Sequence, residues 1–430
     1  MKITTSTATA VVVANMIGTG VFTSLGFQLS SITNTWSVIF LWSLGAIMAL
    51  SGALSYAELG TKLARSGGEY HFLSKIYSKH VGFLSGWCSL TVGFAAPIAL
   101  AAMAAGAYTE NYFPGNSKIV ATFLIVFVSI SHMFDLEKSS RFQNITTLLK
   151  VLLIVLFIVI GFIFQSSENA LELSSNWQKE IFLPSFAISL IYVTYSFSGW
   201  NAAAYIVDEI ADVRKNLPIA LIGGTLIVSV LYILLQLVFI KHATVPMLAG
   251  NLEIGQIVAN NLFGDLGGKI ISGLIAFMLI SSISAMVWVG PRVTKSMADD
   301  YQLLKSLGKT NSKGIPNRAI AFQAFIALIM IWTGSFEQVL TYSGFILQLF
   351  VSLTVLSLFK VRKKQSLSGY KSPFFPIPQV IFLSISLWIL IFIIVEKPFE
   401  SLVGLGILGV GSIAYFIDEY LSRLMNMKRA

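Results

Sequence analysis

The chain has 430 residues, of which 55% are hydrophobic and only 11% are charged. Soluble domains carry about 25% charged residues, so this composition excludes an ordinary soluble protein and predicts an all-α integral membrane protein. The formal net charge of +9 at pH 7 does not require a nucleic-acid partner, because the basic residues follow the membrane topology described next.

Twelve apolar stretches are candidates for membrane crossing, which takes about 20 residues of helix. They lie near residues 7–28, 36–60, 81–108, 119–134, 145–165, 182–206, 217–241, 268–297, 318–333, 336–359, 376–395 and 401–420. If the N-terminus is cytoplasmic, 23 lysines and arginines fall in inside segments and only five in outside segments. Basic residues concentrate on the cytoplasmic side of membrane proteins. We therefore predict a multi-pass protein of the cell membrane with both termini in the cytoplasm.

The first span is interrupted by Gly18, Thr19 and Gly20. A helix that stays intact in lipid satisfies its own backbone, so small and polar residues at half depth predict an unwound segment around a cavity. The half-helix that follows would present free N–H groups and a positive dipole end, which suit a carboxylate. The alternative is that the two glycines only allow close helix packing.

Lys150 lies in the fifth span. If that span begins near Arg141, a rise of about 1.5 Å per residue places Lys150 roughly 13 Å along the helix, inside the hydrocarbon. An ionisable group at this depth is costly and is usually functional. The alternative is a lysine whose head reaches the interface. The only cysteine, Cys88, offers no disulfide framework and no thiol pair for a metal.

The sixth span is interrupted in the same way, by Ser196, Ser198 and Gly199. The interrupted helices begin two sets of five spans, and a second set of five must enter from the opposite side of the membrane. We predict a first repeat over residues 1–165, an inverted second repeat over 182–360, and two additional helices over 376–420.

Short sequence motifs follow several of the spans. They are Ile17-Gly18-Thr19-Gly20-Val21-Phe22, Tyr56-Ala57-Glu58-Leu59-Gly60, Ser66-Gly67-Gly68-Glu69-Tyr70, Gly199-Trp200-Asn201, Asp208-Glu209-Ile210, Arg214-Lys215-Asn216-Leu217-Pro218, Met297-Ala298-Asp299-Asp300 and Tyr370-Lys371-Ser372-Pro373. In this order, from residue 10 to about residue 380, the chain resembles the L-type amino acid transporter family of the amino acid, polyamine and organocation superfamily. The resemblance implies the leucine-transporter-like fold, with helices 1 and 6 unwound in mid-membrane, and transport of L-amino acids by alternating access.

An amino acid substrate is a zwitterion, so its site must offer donors to a carboxylate and acceptors to an ammonium. The resemblance implies that both broken helices supply them, the carboxylate meeting the first break and the ammonium meeting carbonyls near both. The predicted substrate-binding residues are Met16, Ile17, Gly18, Thr19, Gly20, Tyr195, Ser198 and Asn201.

The resemblance also implies a gate and a substitute for a cation. Tyr195 matches an aromatic that closes over substrate and is commonly phenylalanine, and Trp200 is either part of this gate or a packing residue. Lys150 matches a lysine that occupies the place of the cation in sodium-driven relatives. Its ammonium is expected to bond the carbonyls around Asn15 and Gly18 and to hold the broken helix without sodium.

Acidic residues predict the charge of the substrate. Glu58, Glu69, Asp208 and Glu209 are expected at cytoplasmic ends, where basic residues such as Lys62, Arg65, Arg214 and Arg292 would pair with them. No predicted span carries an acidic residue at mid-depth, so a cationic side chain would lack a counter-charge. This favours neutral L-amino acids over arginine or polyamines.

Animal members of the family attach by a disulfide to a heavy chain through a cysteine after the third span. This sequence has no cysteine between Thr109 and Lys118. We expect a stand-alone permease of bacterial type, with the lipid bilayer and a small-molecule amino acid as its partners and with no cofactor or metal. We expect no enzymatic activity, because no nucleophile with a base is evident. Two alternatives stay open: a proton-coupled symporter that uses Lys150, and, with less support, a sensor without transport.

Overall fold

A computed structural model describes residues 2–134, 136–165, 177–364 and 369–427. Within these ranges the chain forms α-helices and short helical turns, with one isolated β-bridge. The α-helices are α1 Thr5–Met16, α2 Gly20–Gln28, α3 Thr35–Lys62, α4 Glu69–Ile76, α5 Lys79–Cys88, α6 Ala95–Tyr108, α7 Ser117–Phe134, α8 Leu136–Ile163, α9 Trp177–Ile181, α10 Pro184–Ser196, α11 Val213–His242, α12 Val245–Leu248, α13 Ile254–Asp300, α14 Asn317–Thr333, α15 Phe336–Lys364, α16 Ile377–Glu396 and α17 Pro398–Met427. A π-helical turn, Ser89–Gly93, joins α5 to α6, and a 3₁₀ helix, Ala202–Glu209, follows α10.

The described residues contain 10 helical segments that are long and apolar enough to cross a membrane. These match ten of the predicted spans, so the prediction of an all-α multi-pass membrane protein is confirmed. The other two predicted spans, 182–206 and 318–333, contain α10 with 13 residues and α14 with 17 residues. The first is too short to cross a membrane alone, and the second is at the lower limit of about 17 residues. The count of twelve therefore stays a prediction.

The eighth predicted span, 268–297, agrees with the second part of α13. Gly264 has a φ of 72° and interrupts α13 between Ile254 and Asp300. The segment before Gly264 is a separate arm with polar residues such as Asn260 and Asn261, and the prediction of apolar spans does not include it.

The helix over the first predicted span is discontinuous. The α1 helix ends at Met16 and α2 begins at Gly20, with Ile17 at a non-helical ψ of 87°. α2 then crosses α10 very closely, since a Cβ added to Gly20 would lie 2.5 Å from the Cα of Ser196. No side chain larger than hydrogen fits there without moving one of the two helices.

The sixth predicted span also changes its helical form. The α10 helix ends at Ser196, and the 3₁₀ helix begins at Ala202. Between them Gly199 has a φ of 97°, and a Cβ on it would lie 2.6 Å from the carbonyl oxygen of Asn15. The interruption after α10 therefore lies directly against the end of α1.

A buried ion-pair cluster joins α3 to α15. The Glu58 carboxylate, with a fully buried side chain, accepts hydrogen bonds from Lys62 Nζ at 2.7 Å and from Arg362 Nε at 2.9 Å and Nη2 at 2.5 Å. The Ser372 N–H donates to the same group at 2.8 Å. Breaking such a cluster by removing one partner leaves uncompensated buried charge.

We expect Glu58→Gln to destabilise the protein by about 3 kcal/mol, because Lys62 and Arg362 lose their counter-charge. The measurement is the Tm of the purified protein in detergent. Glu419→Gln is the matched control, since Glu419 and Arg423 pair at 2.6 Å with exposed side chains and exposed pairs contribute about 0–1 kcal/mol. Equal Tm values for the two variants would contradict the assignment.

Candidate functional site

Two adjoining cavities lie where the helices are interrupted. The smaller, here called the break cavity, has a volume of about 20 Å³. The larger, called the central cavity, has a volume of about 110 Å³. Both are lined by Asn15, Pro97, Tyr195, Ser198 and Met286. Because these walls are shared, the cavities are neighbouring parts of one buried region.

Most of the predicted site residues line this region. Those that face the break cavity alone are Met16, Gly18, Thr19 and Gly20, those that face both cavities are Tyr195 and Ser198, and those that face the central cavity alone are Trp200 and Asn201. Ile17 and Lys150 line neither cavity. These two residues lie behind the wall and contact each other.

Backbone groups around the cavities are available to a ligand. In the first turn of α2 the Phe22 N–H donates to the Thr19 carbonyl at 2.9 Å, and the N–H groups before it have no preceding helical turn to accept from them. The carbonyl of Met16 accepts a hydrogen bond from the Tyr232 hydroxyl at 2.5 Å, and the carbonyl of Tyr195 accepts one from the Ser198 N–H at 2.9 Å. A carbonyl oxygen has two lone pairs. Each of these carbonyls can therefore accept one more donor.

Lys150 is buried, with 1% of its surface exposed. Its Nζ donates to the carbonyl of Ile17 at 3.1 Å and to Ser282 Oγ at 2.8 Å. The Ile17 carbonyl lies between Asn15 and Gly18, within the stretch whose carbonyls were expected to accept from this ammonium. Ile17 is the residue at which the chain leaves the helix, so its carbonyl is the one turned toward α8. The burial of Lys150 and its bonds to Ile17 and Ser282 disfavour the alternative of a lysine head at the membrane interface.

Tyr195 and Trp200 lie on opposite sides of the second interruption. The Tyr195 hydroxyl lies beside the Thr19 side chain, so it spans the two broken segments. The ring of Trp200 packs edge to face on Tyr56, with centroids 4.8 Å apart. A Cβ added to Gly52 would lie 2.6 Å from the Trp200 ring. Trp200 is thus wedged against α3, whereas Tyr195 faces both cavities.

Glu69 was expected to pair with a basic residue, and this expectation is wrong. Its side chain is buried and lines the central cavity, and its Oε1 accepts hydrogen bonds from the Tyr56 hydroxyl at 2.8 Å and from Asn201 Nδ2 at 2.5 Å. Gly67 and Gly68, both with positive φ, turn the chain so that α4 begins at Glu69 inside the bundle. The paired glycines were the signal that sequence reasoning did not use.

The other predicted ion pairs are realised in part. Lys62 pairs with Glu58, and Arg292 pairs with Glu209 at 3.3 Å. Arg65 pairs with Asp300 at 3.1 Å and not with one of the four predicted carboxylates. The chain folds α13 back toward the loop after α3, a contact between distant segments that the sequence does not reveal.

A third cavity of about 400 Å³, here called the vestibule, lies beyond Tyr205 and is lined by charged residues, among them Arg65, Asp208 and Arg292. Tyr205 lines this vestibule and the central cavity as well. Its ring packs edge to face on Phe94, with centroids 5.6 Å apart. Tyr205 therefore forms part of the wall between a polar vestibule and the buried region.

Comparison with known proteins finds similar sequences over most of the chain. The family described as Amino acid permease matches residues 3–405. The chain is 28% identical over 397 residues to the serine/threonine exchanger SteT of Bacillus subtilis, covering 89% of each protein.

Mammalian transporters are similar over comparable lengths. The chain is 26% identical over 422 residues to the mouse b(0,+)-type amino acid transporter 1, covering 95% of this chain and 86% of that protein. It is 25% identical over 436 residues to the mouse large neutral amino acids transporter small subunit 2, covering 96% of this chain and 80% of that protein.

Proposed function

The chain belongs to the amino acid permease family, and from this premise we propose that it carries neutral L-amino acids across the cell membrane by alternating access. It is a transporter and not an enzyme. In our proposal the transport is sodium-independent and takes the form of exchange or facilitated permeation. The names of the relatives support exchange and neutral substrates, since one is a serine/threonine exchanger and another a large neutral amino acids transporter.

The contact between Lys150 and Ile17 carries the proposal of sodium independence. A metal ion at a broken helix would bond the carbonyls that the break sets free. The Lys150 ammonium already donates to such a carbonyl, at 3.1 Å, and to the Ser282 hydroxyl, at 2.8 Å. A fixed positive charge that bridges the first break to α13 leaves no need for a sodium ion there.

Substrate binding is assigned to the two interruptions. The N–H groups at the start of α2, with the Thr19 hydroxyl, would bind the substrate carboxylate. The carbonyls of Met16, Tyr195 and Ser198 would accept from the ammonium. We place these interruptions at mid-membrane, within twelve crossings arranged as two inverted repeats of five plus two further helices.

Reconstitution into liposomes tests the proposal. Uptake of radiolabelled neutral L-amino acids is expected to stay the same when external sodium is replaced by choline. Unlabelled amino acid inside the vesicles is expected to accelerate uptake if the protein is an exchanger. Uptake that requires sodium would overturn the assignment of Lys150.

Proton-coupled symport is the second candidate. The two hydrogen bonds of Lys150 go to neutral oxygens, so loss of its proton would break no ion pair. Imposing a pH gradient across the same vesicles separates the candidates. Accumulation above equilibrium that follows the gradient would indicate proton symport, and insensitivity to it would indicate exchange.

We assign Tyr195 as the gate over the bound substrate, because it faces both cavities and reaches the Thr19 side chain. Tyr195→Ala is expected to lower the maximal uptake rate about tenfold, because the site no longer closes over the substrate. Tyr195→Phe keeps the ring and is the control, expected to stay within about threefold of wild type. Initial rates over a range of substrate concentrations give the result, and equal rates for the two variants would remove Tyr195 from this role.

We propose that the permease works in the membrane without a disulfide-linked partner and with both termini in the cytoplasm. Its single cysteine, Cys88, is 1% exposed and so is out of reach of another chain. Trp200 remains a proposed second gate residue, although its packing on Tyr56 favours a supporting role.

A further inference from the structure

The Glu69 carboxyl group is the one acidic side chain, within the described residues, that lines the central cavity. It is 4% exposed and belongs to α4, outside the helices that cross the membrane. The same cavity is lined by Asn15, Tyr195 and Ser198 of the two interruptions. A ligand held at the interruptions would therefore share one cavity with Glu69.

The hydrogen bonds of this carboxyl group are unequal. Oε1 accepts from both Tyr56 and Asn201, whereas Oε2 is buried and has no hydrogen-bond partner in the part of the chain that the structure describes. Two donors on one oxygen and none on the other is the pattern of a neutral carboxylic acid, in which Oε1 is the carbonyl oxygen and Oε2 carries the proton.

The surroundings of Glu69 agree with the neutral form. Neighbouring basic residues are engaged elsewhere, since Lys62 pairs with Glu58 and Arg65 with Asp300. Burial raises the pKa of Glu69, and the neighbouring side chains of Tyr205, Tyr56 and Asn201 only partly offset this effect. The acid thus holds a buried hydroxyl donor that has no acceptor among the described residues, at the wall of the cavity proposed to hold the substrate.

We propose that Glu69 forms the polar end of the subsite for the substrate side chain, and that this subsite takes neutral amino acids with a hydroxyl or amide group. The inference rests on the proposed function and names the substrate class within it. The Oε2 hydroxyl donates to the side-chain oxygen of the substrate. An apolar side chain of the same shape would leave that buried donor unsatisfied, and a site built around a hydrogen bond discriminates strongly against such an analogue.

Pairs of amino acids with equal shape provide the test. L-threonine and L-valine differ by a hydroxyl in place of a methyl group, and L-asparagine and L-leucine by an amide in place of a branched alkyl group. Apparent Kd values come from titrations that follow the Tm of the purified protein, because a ligand that binds the folded state raises it. Wild type is expected to bind threonine and asparagine at least about tenfold more tightly than their apolar partners.

Two variants assign this preference to Glu69. Glu69→Gln keeps a carbonyl for Tyr56 and Asn201 and supplies an N–H donor in place of Oε2, so the preference should persist. Glu69→Met has a similar size and no donor, so the preference for threonine over valine should fall about tenfold. A wild type without the preference, or a Glu69→Met variant that retains it, overturns the inference.

An infrared measurement tests the inference even if the Glu69→Met variant does not fold. The difference spectrum between threonine-saturated and valine-saturated wild type should show a shift of a protonated carboxyl band, and Glu69→Gln should abolish it. Identical carboxyl bands with the two ligands would overturn the inference. If no L-amino acid raises the Tm or enters vesicles, the proposed function itself fails, a result distinct from binding without preference.

Discussion

Lys150→Ala is expected to reduce amino acid uptake by about 10- to 100-fold without loss of expression. The variant removes a buried ammonium that donates to the Ile17 carbonyl and to Ser282. A charge-assisted hydrogen bond contributes about 1.5–3 kcal/mol, and each 1.4 kcal/mol is a factor of ten in an equilibrium. Without this bond the first interruption is no longer held in place. A smaller fraction of the protein molecules then has the backbone geometry that binds the substrate.

Lys241→Ala is the matched control for this prediction. Lys241 also donates to backbone carbonyls, those of Gly161, Phe162 and Phe164, but at the end of α8 and away from the cavities. Its removal should leave uptake near the wild-type level. The measurement is the initial rate in vesicles at equal protein density. Unchanged uptake in Lys150→Ala would refute the role of the lysine.

Gly18 and Gly20 are expected to respond to alanine in different ways. In Gly20→Ala the new methyl group would lie 2.5 Å from the Cα of Ser196, which forces α2 away from α10 and destabilises the protein by at least about 1–3 kcal/mol. At Gly18 the nearest atom to a new Cβ is the Met16 carbonyl oxygen, at 3.9 Å. The methyl group then enters a cavity of about 20 Å³ and competes with the substrate.

Gly18→Ala should therefore keep the wild-type Tm and lose about tenfold or more in apparent affinity, the effect of one carbon too many in a fitted pocket. Gly20→Ala should lower the Tm as well as uptake. Both quantities are measured on the same purified preparations. If the Tm falls equally in both variants, Gly18 is a packing residue like Gly20, and its assignment to the substrate site is lost.

The membrane class of the protein follows from composition alone. Spans were well placed where one long apolar helix crosses, as in α3 Thr35–Lys62 or α16 Ile377–Glu396. The arm of α13 before Gly264 was not predicted, because it carries polar residues such as Asn260 and Asn261. The apolar pattern of a segment does not reveal the turn at Gly264 that bends the chain.

The candidate site could be predicted only where the residue types within one segment indicate its backbone structure or its depth in the membrane. Glycine, serine and threonine within an apolar stretch identified the segments around Gly18 and Gly199, and depth along a helix identified Lys150. Partners across the bundle left no such signal. The direction in which the Ile17 carbonyl points depends on one ψ angle. The position of Glu69 beside Asn201 depends on how α4 enters the bundle.

A structure determined with a bound L-amino acid tests the central claim most directly. The two interrupted segments are proposed to hold the zwitterion through their backbone groups. We predict density for the ligand between residues 16–20 and 195–198, with its carboxylate at the start of α2 and its ammonium on the facing carbonyls. A ligand found in the vestibule beyond Tyr205, or one bound through charged side chains alone, would contradict this account.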